Sequence, residues 1–204
     1  MNLNTSFPSD VAFSPSVKAM QARLGSRHAY ERMERERGWD TTITPDLQAL
    51  IEAQESVFLA TASSDGQPYI QHRGGPPGFL HVPDERTIAW AEFAGNRQYI
   101  TGGNLAENDR AQLFLIDYAT RTRVKIWGRA RLVEDDPALV ARLMPPGYEA
   151  RGERALVFDV TAWDTNCRKH IPQRFEAADV AAALAQRDAR IEALEQELRA
   201  LRAR

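Results

Sequence analysis

Apolar and polar positions divide the chain into three stretches with different rhythms. From Val57 to Trp163 the apolar residues come in short runs closed by turn clusters. Val57–Ala62 ends at Ser63-Ser64-Asp65-Gly66, a hairpin-type turn, and Gln67–Arg73 returns from it. Phe79–Val82 follows, then the turn Pro83-Asp84-Glu85-Arg86 and the run Thr87–Trp90. Ala111–Ile116 and Arg123–Val133 make a further pair, and Ala155–Trp163 is the last. Short helices are predicted over Arg97–Glu107 and from Asp136-Pro137 to near Pro145-Pro146-Gly147. Strands this short, without regular β–α alternation, predict about six strands in a closed antiparallel barrel rather than a doubly wound sheet.

The flanking stretches read as helices. Before the strands, Ser14-Pro15 and Thr44-Pro45-Asp46 each put a capping oxygen ahead of a proline at the first helical position, where a missing N–H costs nothing. Val17, Met20, Ala22 and Leu24 give the first helix a modest apolar face, and Leu47, Leu50 and Ile51 stripe the one that leads into the barrel. Between them Tyr30–Arg37 is mostly charged, a solvated helix stopped at Gly38. After the strands, Glu176–Arg204 contains no glycine or proline. Its residues Leu184, Ile191, Leu194, Leu198 and Leu201 follow a heptad seam interrupted by Arg187, with Glu195 and Arg199 as an i,i+4 pair. That stripe suits pairing with another helix or lying on the barrel. The organisation expected is an arm and helix over 1–46, a barrel domain over 47–175 and a terminal helix over 176–204.

Composition removes whole classes of function. With 43% hydrophobic and 26% charged residues the chain is an ordinary globular protein, and a net charge of −2 does not suit a nucleic-acid binder. No apolar run reaches the ~18 residues of a membrane span, and Met1–Asp10 has no signal-peptide pattern, so a cytoplasmic protein is expected. One cysteine, Cys167, excludes an intrachain disulfide. Cys167-x-x-His170 is the nearest approach to a metal motif; His28, His72 and His81 stand in unrelated contexts, so no metal is expected. Walker, dinucleotide, nucleophile-elbow and His-Glu-x-x-His motifs are missing.

Two segments carry candidate chemistry. Gln71-His72-Arg73-Gly74-Gly75-Pro76-Pro77-Gly78 ends a strand with polar residues and glycines that let a ligand approach the backbone. Gly95-Asn96-Arg97-Gln98 stands at the predicted start of a helix, where free N–H groups and a guanidinium favour an anion. Together they predict a phosphate site made by a strand and a following helix start. His72 and His170 are the candidates for an acid–base role, histidine being the side-chain type suited to it near neutral pH.

From Gly66-Gln67-Pro68 through Gly95-Asn96-Arg97-Gln98 and Asn104-Leu105-Ala106-Glu107-Asn108 to Arg123-Val124-Lys125-Ile126-Trp127-Gly128, the chain resembles the pyridoxamine 5′-phosphate oxidase-like, FMN-binding split-barrel family. Its Gln-His-Arg-Gly-Gly-Pro-Pro-Gly and Asn-Cys-x-x-His-Ile-Pro segments are similar to those of the predicted flavin-nucleotide-binding branch. The resemblance implies a mainly β fold, a six-stranded antiparallel split barrel with N-terminal helices and a C-terminal amphipathic helix. It also implies a homodimer with FMN sites shared between subunits. Carried over by position, Gln71 stands for a phosphate-facing arginine and His72, Arg73 and Gly74 continue the FMN-lining strand. Ala91 and Glu92 match a backbone pair beside the flavin, and Asn96, Arg97 and Gln98 match the phosphate-gripping turn. Arg123 matches a glutamine that reaches the partner's flavin, and Asn166 and His170 lie in the segment after the last strand.

Gln71 and Gln98 replace two cations of the family, with Arg73 positioned to return one. The oxidases' tryptophan–arginine pattern after the last strand is replaced here by Trp163-Asp164-Thr165-Asn166-Cys167-Arg168-Lys169-His170, so pyridoxamine phosphate oxidation itself is not expected. The reading is an FMN-dependent oxidoreductase acting on a small-molecule substrate or electron donor, without nucleic-acid or membrane partners. A flavin carrier or sensor, or a scaffold with a vestigial site, remains open, as does a deazaflavin or haem in place of FMN.

Overall fold

A computed structural model describes residues 6–165 and 168–203. The chain forms two compact units, Met1–Ile116 with Arg123–Cys167, and Asp117–Thr122 with Arg168–Arg204.

The first unit opens with a 3₁₀ turn, Pro8–Val11, followed by α1 (Pro15–Arg23), α2 (Arg27–Glu36) and α3 (Pro45–Glu52). The capping oxygens act as their positions predict: Ser14 Oγ accepts from Val17 N and Thr44 Oγ1 from Leu47 N, both at 3.3 Å. α1 buries none of its residues, so its apolar face is exposed, Met20 and Leu24 included. α2 is largely solvated, as its charges suggest, with one exception. Glu34 is buried, accepting from Ser9 Oγ at 2.9 Å and pairing with Arg27, which also holds Glu31 at 3.1 Å. A 25-residue separation hides Ser9 from a reading of the helix alone. Trp39 then stacks on Trp127 at 4.7 Å, and Trp163 Nε1 donates to Thr42 O at 2.8 Å, tying the helical segment to the sheet.

Seven strands follow, one more than expected: β1 (Ser56–Ala62), β2 (Pro68–Gly74), β3 (His81–Asp84), β4 (Thr87–Phe93), β5 (Arg110–Asp117), β6 (Thr122–Val133) and β7 (Gly152–Thr165). α4 (Ile100–Glu107) separates β4 from β5, and α5 (Pro137–Leu143), capped by Asp136 at 2.8 Å, separates β6 from β7. The order across the sheet is β2-β1-β5-β6-β7-β4-β3, so β2 and β3 are edges and the sheet is not closed. Every described ladder is antiparallel. Period-two burial in β1 and β5 sends Val57, Leu59, Leu113 and Leu115 into one core with Ile126, Phe158 and, from α3, Leu47 and Ile51. A smaller cluster seats Val140 and Leu143 of α5 on Ala89, Ala91, Ala155 and Val157.

Two local features shape this sheet. At the β6–β7 ladder Trp127 pairs with Ala162 but Gly128 with Val160, leaving Thr161 as an extra residue on β7. A Cβ on Gly128 would collide with the carbonyl oxygen of Asp159 and the ring of Phe158. Glycine is therefore required by close approach, and the bulge bends β7 at that point. The second feature is the open seam, where β2 faces β4 without backbone pairing. Arg73 bridges it, its Nε donating to Glu92 Oε1 at 2.7 Å and its Nη2 to Glu92 Oε2 at 2.8 Å. Trp90 Nε1 adds a bond to Glu92 Oε1 at 2.9 Å.

The second unit contains the turn between β5 and β6, where Asp117 Oδ1 accepts from Ala119 N at 2.8 Å, and a 26-residue helix, α6 (Ala177–Arg202). Gln173 Nε2 donates to Ala119 O at 2.9 Å, and the Arg174 guanidinium lies 4.6 Å from the Tyr118 ring centroid. Among the described residues no helix is long and apolar enough to cross a membrane.

Gly128→Ala is expected to cost about 1–3 kcal/mol, the usual penalty of overpacking, read as a lower denaturant midpoint. At the seam, Glu92→Ala leaves the Arg73 guanidinium, 15% exposed, without its counter-charge. That change should destabilise by about 3 kcal/mol, whereas Arg73→Met combined with Glu92→Leu loses less than either single change. Equal losses that simply add in a double-mutant cycle would show that the pair does not span the seam as a unit.

Candidate functional site

The open seam forms a cleft of about 320 Å³, within the range of small-molecule sites. It is lined by β2, the end of β4, the connection from β4 to α4, and the start of β7. Nine of the twelve sequence-selected residues line it: Gln71, His72, Arg73, Gly74, Ala91, Glu92, Asn96, Arg97 and Gln98. They come from three segments that only the curled sheet brings together.

Alternation on β2 separates their roles. Gln71 and Arg73 share one face, where Thr101 Oγ1 of α4 donates to Gln71 Oε1 at 2.7 Å and Arg73 Nη2 reaches Thr101 Oγ1 at 3.5 Å. His72 is exposed on the other face, its ring 5.5 Å from that of Phe58. Arg73 does not return the charge lost through Gln71 and Gln98. Its fork is matched to Glu92, so the expected compensation is not available.

On β4, Trp90 and Glu92 share the cleft face, while the Ala91 side chain packs beneath α5. β3 pairs with β4 only up to Ala89, through His81. Past that point the edge of β4 from Trp90 to Phe93 has no ladder partner on the β3 side among the described residues, and its backbone groups are available to a ligand.

The connection to α4 differs from the expected helix start. Arg97 and Tyr99 both have left-handed backbone, φ 59° and 56°, which a right-handed helix cannot contain, so α4 begins at Ile100 rather than Arg97. Gln98 N is bonded to Asn96 Oδ1 at 3.2 Å, shaping the turn. Tyr99, at the N-cap, offers no side-chain cap. Gly103 N reaches Tyr99 O at 2.9 Å, and the N–H groups of Ile100, Thr101 and Gly102, in the first turn, have no hydrogen-bond partner among the described residues. All three residues line the cleft.

Three arginines and two glutamates line the same space, in a chain whose overall charge is −2. Arg154, opposite Glu92 in the β4–β7 ladder, donates to Glu134 Oε1 at 2.6 Å and lies 5.2 Å from the Tyr99 ring centroid. Arg97 is the least committed: its side chain is 62% exposed and its ion-pair partner is Glu153 at 3.6 Å. Trp90, Tyr99, Thr101, Glu153 and Arg154 are cleft residues that the sequence reading missed. Trp90 follows from two-residue alternation with Glu92; Arg154 follows only from the β4–β7 register.

The remaining selected residues fall elsewhere. Arg123, at the start of β6, does not line this cleft, and its Nε is buried with no hydrogen-bond partner among the described residues. His170 belongs to the second unit, exposed and with φ 65°. Asn166 and Cys167 lie outside the described residues. Among those described, no three His, Cys, Asp or Glu side chains gather into a metal-binding group.

Comparison with solved structures finds similar folds at low identity. HupZ of group A Streptococcus is 17% identical, with 65% of this chain and 99% of that chain covered at a TM-score of 0.49. An FMN-binding protein from Syntrophomonas wolfei is 14% identical, covering 72% and 97% at a TM-score of 0.48. The heme storage protein HutZ from Vibrio cholerae is 15% identical, covering 58% and 89% at a TM-score of 0.42. No curated protein matches the sequence. The pyridoxamine 5′-phosphate oxidase family model, however, matches residues 43–174, which hold the whole sheet and every residue of the cleft. The chain belongs to the pyridoxamine 5′-phosphate oxidase family.

Proposed function

We propose that the protein is a homodimeric FMN-binding oxidoreductase that holds the flavin in the seam cleft and acts on a small molecule. What supports this reading is the convergence at one cleft of an uncapped helix start, a loosely paired arginine and a free strand edge. These are the donors that a phosphate and the polar rim of a flavin ring require.

In this reading the phosphate is held by the N–H groups of Ile100, Thr101 and Gly102, with Arg97 swinging from Glu153 to form a charge-assisted bond. Gln71, fixed by Thr101, contributes a neutral amide where the family's oxidases have a cation. The β4 edge at Ala91 and Glu92 presents backbone groups to the ring. Glu92 itself is occupied by Arg73 and Trp90, so its carboxylate orients the cleft wall and is not a free base. Bound FMN supplies hydride or single-electron transfer, and the protein binds, orients and shields it. Phe79 and Trp90, each 1% exposed, close the inner wall against water.

Arg123, with its orphaned Nε, is assigned to the partner subunit's flavin, as are Asn166 and His170 of the segment after β7. The resemblance does not extend to a substrate-holding tryptophan–arginine pattern, so pyridoxamine phosphate is not the substrate proposed.

Purified protein should show flavin bands that bleach with a reductant and return with an acceptor; bands that never bleach would leave a carrier. Arg97→Ala should weaken FMN binding to apo protein by about 1.5–3 kcal/mol, the worth of a hydrogen bond to a charged group. An unchanged dissociation constant would remove Arg97 from the phosphate site. Co-expressing Arg97→Ala with Arg123→Ala chains should produce heterodimers with one intact site. Flavin occupancy no higher than in the separate variants would rule out sharing between subunits.

A further inference from the structure

α6 lies outside the segment matched by the family and outside the site proposed above. It buries none of its residues, and Val180, Leu184, Ile191, Leu194, Leu198 and Leu201 are each between 44% and 65% exposed. The spacings from Val180 onward are four, then three and four in alternation, with Arg187 filling the one polar step. That is a continuous 3.5-residue repeat: Leu184, Ile191 and Leu198 at a, and Val180, Arg187, Leu194 and Leu201 at d. A stripe of this kind excludes water only when another surface covers it.

Charges beside the stripe select the surface. Position g holds Arg190 and Glu197, and position e holds Asp188, Glu195 and Arg202. In a parallel, in-register pair each g residue meets the e residue five positions on in the other helix. Arg190 then meets Glu195, and Glu197 meets Arg202, giving four attractive pairs by symmetry and no repulsive one. Arg187 at d lies beside Asp188 at e of the other copy, which offsets its charge. An antiparallel pair centred on Ile191 and Leu194 keeps two attractive Arg190–Glu197 contacts but sets Asp188 against Glu195 twice. It also leaves Val180 beyond the end of its partner. Glu195 is available for such a contact, since its partner within α6 is the exposed Arg199 at 3.6 Å.

We propose that α6 pairs with α6 of a second copy of this chain as a parallel, in-register two-stranded coiled coil. The charge pattern recognises its own sequence in one orientation, and β-branched Ile191 at a with Leu194 at d suits two strands.

Disulfide trapping in the full chain tests this, with Cys167→Ser as background. Leu201→Cys places two thiols face to face across a parallel seam, whereas Gln196→Cys, at f, points them outward. Under oxidised glutathione the Leu201→Cys chain should cross-link at least about tenfold faster than the Gln196→Cys chain, through the effective concentration that pairing supplies. Adding Glu195→Arg with Glu197→Arg turns every g–e contact into Arg against Arg and should slow the cross-link to the control rate. Adding Arg190→Glu with Arg202→Glu turns them all into Glu against Glu and should do the same. Co-expression of the two charge-reversed chains, told apart by a mass tag, should restore fast cross-linking in heterodimers only. Equal rates for Leu201→Cys and Gln196→Cys would overturn the proposal, as would charge-reversed chains that cross-link as fast alone as together. The rates read α6 alone and do not depend on flavin, so they succeed or fail independently of the cofactor assignment.

Discussion

The bidentate Arg73–Glu92 pair is the contact on which the rest of the site depends. An antiparallel sheet that curls without closing leaves two edges, and the facing stretches of β2 and β4 share no ladder bond. A planar guanidinium on one strand and a carboxylate on the other span that distance with two parallel bonds, and Trp90 fixes the carboxylate from its own strand. The seam is held at a set width while remaining open. An apolar bridge could hold two strands together, but it would fill the cleft and lack the directionality that keeps Gln71 and Thr101 in place.

The same pair shapes the electrostatics. Because Glu92 and Arg73 neutralise each other, and Arg154 is engaged by Glu134, the cleft's available charge is concentrated on Arg97. That residue stands beside three N–H groups without a hydrogen-bond partner among the described residues, after a turn whose left-handed backbone at Arg97 and Tyr99 directs the start of α4 toward the seam. A position of positive φ at a non-glycine residue is uncommon and costs conformational energy, and two of them here immediately precede the anion-favouring donors. The strain, the missing cap and the free charge belong to one short segment, which accounts for its chemistry without a dense cluster of cations.

Much of the fold is legible residue by residue. Ser14, Thr44 and Asp136 announce helix starts through a mechanism that operates within three residues, and all three act as caps. Period-two burial in β1 and β5 follows from the alternation of their apolar residues. Misreadings occur where partners are distant or backbone geometry is unusual. Glu34 reads as a solvated charge because Ser9 lies 25 residues away. The helix predicted from Arg97 starts at Ile100 because nothing in the letters of Arg97 or Tyr99 signals left-handed φ, as a glycine would have done.

The sequence by itself determined the local choices: where the capped helices α1, α3 and α5 begin, which strand faces are apolar, which segments carry ligand-seeking chemistry, and the family. These rest on interactions between near neighbours, which periodicity and capping residues encode directly. Only the tertiary structure decided the sheet order, the seventh strand and the open seam, and thereby that Arg73 is neutralised by Glu92 while Arg97 is left loosely paired. Arg154 enters the cleft by the same route, through a β4–β7 register that sets it opposite a residue 62 positions earlier. Charge availability depends on which oppositely charged group lies within a few ångströms, and that distance is fixed by strand pairing between remote segments rather than by the identity of either residue.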